Sequence, residues 1–168
     1  SLAVTVAESK NEFTELICDA AATRTVGYGL DSGVQMGPVI NTASQQRVEQ
    51  LIALGAKEGA GVPVDGRGTV VKGYERGSFV RPTILSDVKA GSEIARTEIF
   101  GPVLSLMHVN TIDDAIDIIQ RSGHPDATVV VDPFHCWRGG GPVASLSKLN
   151  GNQIAISHFN DSPAVPAA

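Results

Sequence analysis

Leu2, Val4 and Val6 alternate with Ala3, Thr5 and Ala7, and this β-branched, period-2 run passes directly into a helix-like stretch from Asn11 to Thr23. A strand that feeds a helix belongs to layered α/β structure, because the helix must cover an apolar sheet face. The pattern recurs along the chain. Gly27, Gly29, Gly33 and Gly37-Pro38 hold a dozen residues in loop conformation. A helix capped by Thr42 or Ser44 then presents Val48, Leu51 and Ile52 on one face and runs to about Glu58. Val62-Pro63-Val64 reads as a short edge strand, since proline cannot donate to a ladder, and Asp65-Gly66 reads as a turn. Extended structure is expected over Ser78 to Val88 and again over Pro102 to Val109. Thr111 caps an amphipathic helix reaching Gln120, with Asp113 and Asp114 in its first turn, where the helix dipole favours acidic groups. Ala127 to Val131 and Gln153 to Ser157 are short apolar strands with a helical segment, Pro142 to Leu149, between them. They make a βαβ-like unit with parallel pairing. Residues 162–168 are too rich in proline for regular structure and are expected to fray.

The chain has 168 residues, 42% of them hydrophobic and 18% charged, enough for one compact core. No apolar stretch approaches the roughly 20 residues that a bilayer span needs, so no membrane partner is expected. With a net charge of −5 and its thirteen Lys and Arg scattered, it offers little to a nucleic acid. Ser1 to Lys10 lacks a secretory pattern, which leaves the cytoplasm as the expected location. Cys18 and Cys136 have no pairing or zinc spacing, and Cys18 lies in a helical pattern where a thiol serves as a small hydrophobe.

The chemistry concentrates in Glu98-Ile99-Phe100-Gly101-Pro102-Val103. A carboxylate at Glu98 can accept both hydroxyls of a ribose, an aromatic ring at Phe100 can pack on a flat nicotinamide, and Gly101-Pro102 can fix a close turn that presents them. The residues alone also admit a reading in which Phe100 is core and Glu98 a solvated loop acid. The run resembles the EIFGPV signature of NAD(P)-dependent aldehyde dehydrogenases. Met36-Gly37-Pro38 and Phe79-Val80-Arg81-Pro82-Thr83-Ile84 resemble two further landmarks of that family, in the same order. Asp65-Gly66-Arg67-Gly68 and Lys72-Gly73-Tyr74-Glu75-Arg76-Gly77 look most like the methylmalonate-semialdehyde dehydrogenase branch, whose members oxidise short carboxylated aldehydes and release an acyl-CoA.

The resemblance implies a three-layer α/β catalytic-domain portion over residues 1–120, with a βαβ-like extension over 121–161. It makes Glu98 and Phe100 contacts to the nicotinamide ribose of NAD. In the family the nucleophile is a cysteine just before a strand like Ser1–Val6, and a separate half of the protein holds the adenosine and pyrophosphate. The 168 residues alone are therefore expected to bind NAD weakly and not to turn over aldehyde.

From about Gln120 the tail resembles xylose-isomerase-like TIM-barrel sugar-phosphate isomerases and epimerases, through Val129-Val130-Val131-Asp132-Pro133-Phe134-His135 and Ile154-Ala155-Ile156-Ser157-His158. That resemblance implies Asp132 and His158 as ligands of Mn²⁺ or Zn²⁺, with His135 beside them, at strand ends where such barrels place their chemistry. On these resemblances the chain reads as a dehydrogenase portion joined near the Thr111 helix to an isomerase-like segment. A metal-dependent isomerase site in the tail and a non-catalytic homo-oligomer are the alternatives.

Overall fold

The structure, a computed structural model, describes residues 1–122, 129–131, 143–149 and 154–157. They fall into two compact units, one of residues 1–5 and 10–108, the other of residues 6–9 and the chain from Val109.

The first unit is built on a four-stranded sheet in the order β1-β4-β3-β2, with β1 Leu2–Val6, β2 Gly61–Val64, β3 Thr83–Ser86 and β4 Val103–Val109. Central β3 pairs parallel with β4, Ile84 opposite Leu104, and antiparallel with edge strand β2, Val64 opposite Ile84. Pro63 is tolerated because β2 has a neighbour on one side only. Successive strand residues face opposite ways, and β3 uses both faces. Ile84 packs with Ala21 and Leu106, and Ile17 and Cys18 of helix α1 (Ser9–Ala22) pack against that cluster. Leu85 points at helix α2 (Thr42–Lys57), where a Cβ on Gly55 would lie 2.9 Å from its Cδ1. The result is helix, sheet, helix, the α/β layering expected from the sequence. Ile52, Val48 and Leu85 are at most 1% exposed, each contributing about 2 kcal/mol of burial.

Several local readings need correction. The cap of α2 is Asn41, whose extended backbone lets its Oδ1 accept the Ser44 amide at 2.8 Å, so Ser44 is the capped donor and Thr42 the first helical residue. The extended stretch expected over Ser78–Val88 narrows to Thr83–Ser86. Upstream of it the backbone binds outside the sheet, with the Phe79 carbonyl accepting from Gln45 Nε2 of α2 and the Arg81 amide donating to the Gly66 carbonyl of a loop. A four-residue helix, α3 (Glu93–Arg96), is too short to show a period in sequence. Its first amides are capped from a distance by Glu58, whose two carboxylate oxygens accept from Glu93 and Ile94 at 2.7 and 3.0 Å.

The second unit contains helix α4 (Ile112–Ser122), a 3-10 helix Val143–Lys148, and strands β5 (Val129–Val131) and β6 (Ile154–Ser157), which pair in parallel. Thr111 caps α4 as expected, its Oγ1 accepting the Asp114 amide while Asp114 accepts the Thr111 amide, both at 3.1 Å. Lys148 bridges Asp113 at 2.8 Å.

Candidate functional site

The turn between α3 and β4 carries the motif. Ile99 and Val103, its two ends, are 2% and 4% exposed and anchor it in the core. Between them Phe100 is lifted clear, 83% exposed, so the reading of Phe100 as core is wrong. Its φ is +54°, left-handed backbone that an aromatic residue enters at a cost of about 1–2 kcal/mol. Glu98 is exposed as well.

Helix α2 holds this turn. Arg47 Nη1 donates to the Ile99 carbonyl at 2.5 Å and Nη2 to the Glu98 carbonyl at 2.7 Å. One residue further on, Val48 lies so close that a Cβ on Gly101 would stand 2.6 Å from its Cγ2, which is why glycine is required there. The Val103 amide closes the turn on the Gly101 carbonyl at 2.7 Å. A carboxylate and a bare aromatic ring, two residues apart, are thus both exposed on a turn braced by α2. Sequence reading missed Arg47, because its partners lie 51 and 52 residues away and an arginine on an exposed helix face carries no local signature.

The other landmarks are tied to one another and to α1. The Val39 amide, just after Met36-Gly37-Pro38, donates to the Ser78 carbonyl at 2.9 Å, bringing that segment beside Phe79-Val80. Arg81 Nη2 reaches the Ala22 carbonyl at 3.2 Å, satisfying an orphan acceptor in the last turn of α1. Gly66 is obligatory, since a Cβ there would meet the Arg81 carbonyl oxygen at 1.9 Å.

Cys18 is partly buried in α1, and burial first, then the neighbouring Asp19 charge, pushes its thiol up, the reverse of an activated nucleophile. Asp132, His135 and His158 lie outside the described residues. Among the described residues no group of three or more His, Cys, Asp or Glu could hold a metal ion. A shallow cleft of about 370 Å³ at the far ends of β3 and β4 is lined by Lys10, Glu15, Asp87 and His108. There Lys10 Nζ stands 2.6 Å from Asp87 Oδ1, and that hydrogen bond above all keeps the carboxyl below the usual carboxylate range.

The family model "Aldehyde dehydrogenase family" matches residues 2–131. A human mitochondrial methylmalonate-semialdehyde/malonate-semialdehyde dehydrogenase [acylating] is 42% identical over 130 residues, 77% of this chain and 24% of that protein. A probable enzyme of the same name from Drosophila melanogaster is 43% identical over 157 residues, 94% of this chain and 29% of that protein. A solved structure from Sinorhizobium meliloti 1021, assigned as a methylmalonate-semialdehyde dehydrogenase and complexed with NAD, superposes with a TM-score of 0.71 at 32% identity, over 79% of this chain and 26% of that one. The chain thus spans about a quarter of the length of the curated relatives it matches. The likeness does not stop at Gln120. The family match runs to residue 131 and the Drosophila alignment across nearly the whole chain, so the isomerase-like reading of the tail, and the metal that came with it, have no support from these comparisons.

Proposed function

Because the chain belongs to the aldehyde dehydrogenase family, we propose that its Glu98–Val103 turn is the nicotinamide-ribose wall of a methylmalonate-semialdehyde-type dehydrogenase site. The observation that carries this reading is Phe100, an aromatic side chain 83% exposed on left-handed backbone that the fold itself does not need. Strain of this kind persists where surrounding structure over-determines it, and it gathers at ligand-contacting positions.

The residues present fit that end of NAD. The exposed ring of Phe100 offers a flat apolar face to a nicotinamide, and the carboxylate of Glu98 can accept the two ribose hydroxyl protons. When bound, NAD supplies the hydride acceptor for aldehyde oxidation. The turn's part is to hold the ribose and to shield one face of the ring from water. The relatives' names give the substrate class, a short aldehyde bearing a carboxylate.

The 168 residues alone are read as a non-catalytic part of that site. Cys18 is the one free cysteine among the described residues, and its raised pKa leaves little thiolate at neutral pH. One wall of contacts also falls short of the several kcal/mol needed to immobilise a dinucleotide, so the contact is weak.

Saturation-transfer NMR tests this with the purified chain and nicotinamide riboside. Transfer to the nicotinamide and ribose protons is expected in the parent, with the ring signal lost in Phe100→Ala and the ribose signal reduced in Glu98→Gln. Equal transfer in all three proteins would remove the turn from the site. No NAD reduction is expected with methylmalonate semialdehyde, and robust turnover by the chain alone would overturn the non-catalytic reading.

A further inference from the structure

We propose that Arg47 is a positioning residue for this site. By clamping the two carbonyls ahead of Phe100 it sets the left-handed turn that displays Phe100 and Glu98, an assignment that rests on reading the turn as a cofactor wall.

The geometry carries this further than simple bracing of the fold. The φ angle of Phe100 describes rotation about its N–Cα bond, so it is set when the Ile99–Phe100 peptide plane and the backbone that follows Phe100 are both held. Arg47 Nη1 holds that plane through the Ile99 carbonyl at 2.5 Å, and Nη2 holds the preceding plane through the Glu98 carbonyl at 2.7 Å. On the other side of Phe100, the Gly101 backbone is pressed against Val48, the next residue of the same helix, and is hydrogen-bonded to the Val103 amide. Both peptide planes flanking Phe100 are therefore referred to one turn of α2. A residue at +54° with no burial of its own needs such support, because nothing in its side-chain contacts repays the strain.

The chemistry also explains why the residue is arginine. A planar guanidinium presents parallel donors that can span two successive carbonyls, whereas a lysine ammonium is a point donor that can satisfy one of them well. Its acceptors are neutral backbone carbonyls, so the clamp draws on no carboxylate partner.

The test uses the full 168-residue chain labelled with 4-fluorophenylalanine, the Phe100 resonance being assigned from Phe100→Leu among the five phenylalanines. In Arg47→Met the Phe100 ¹⁹F resonance should move toward the solvent-averaged position or split. Nicotinamide riboside binding should weaken about tenfold, the equivalent of one charge-assisted hydrogen bond. Arg47→Lys should keep the parent's melting temperature yet recover less than half of either effect, and it carries the test alone if the methionine variant does not fold. A Phe100 resonance identical to the parent's in both variants would overturn the proposal, even if the melting temperature fell, because that is the signature of a merely structural arginine. If the parent gives no transfer to the riboside while the Phe100 resonance still responds to Arg47, control of the turn stands and the cofactor reading falls.

Discussion

Phe100 and Asp87 both hold left-handed backbone, at φ +54° and +55°, one just before β4 and the other just after β3 of the same sheet. Asp87 belongs to the residue types that tolerate this conformation, being short and polar. Its carboxylate is also occupied locally, 2.6 Å from Lys10 Nζ. Nothing about Asp87 calls for a ligand. Phe100 is a bulky residue in the same conformation with its side chain in solvent, and the groups that hold it there act on its neighbours' carbonyls instead of on its ring. Unusual backbone marks a candidate site only where local chemistry fails to account for it, as at Phe100.

The largest effect that separates the two turns should come from Gly101→Ala. The new Cβ would meet Val48 Cγ2 at 2.6 Å in the core, an overpacking expected to cost about 1–3 kcal/mol in urea unfolding. Gly91, four residues beyond Asp87, faces open space, and Gly91→Ala should be silent. A Gly101→Ala midpoint equal to the parent's would mean that the turn is not pressed onto α2. Next come the left-handed residues themselves, which should differ in sign. Phe100→Gly removes about 1–2 kcal/mol of strain and gives back up to about 1 kcal/mol through the freer unfolded chain, so losing a whole aromatic ring should leave stability unchanged or slightly raised. Asp87→Gly has little strain to relieve and loses an ion pair, so it should destabilise. Substantial destabilisation by Phe100→Gly would show that the ring packs within the fold.

Much of the layering was legible because it rests on short-range pattern. The alternation of residues 2–7, the apolar face of α2 and the capping pair Thr111–Asp114 are each decided within a few residues. Less was legible wherever a distant group decides the local outcome. Asn41, not Thr42, caps α2 because its own backbone is extended there. Helix α3 is capped by Glu58 from 35 residues away. The site divided along the same line. Glu98 and Phe100 stood out by residue type and neighbourhood, while Arg47, which meets the Glu98 and Ile99 carbonyls only through tertiary structure, looked like any surface arginine. The exposure of Phe100 was equally hidden, because an aromatic residue between Ile99 and Val103 has the composition of a buried segment.

The smallest effect, and the one that most cleanly sets the two turns apart, is their response to acid. Asp87 has its pKa lowered by Lys10 in the folded state. The stability this adds is present above the unfolded aspartate value near 3.9 and is lost as pH falls through the folded value. With both side chains about half exposed, at 40% and 55% of their surface, the contribution is modest and screened by salt. Asp87→Asn should therefore be slightly less stable than the parent at neutral pH and low salt, and the two unfolding curves should converge toward pH 3. The Phe100 turn has no such handle, since the groups that hold Arg47 there are neutral backbone carbonyls. The stability difference between the parent and Arg47→Met should be the same at pH 4 and pH 7. A difference that shrinks with acid would mean that a carboxylate shares the hold on Arg47.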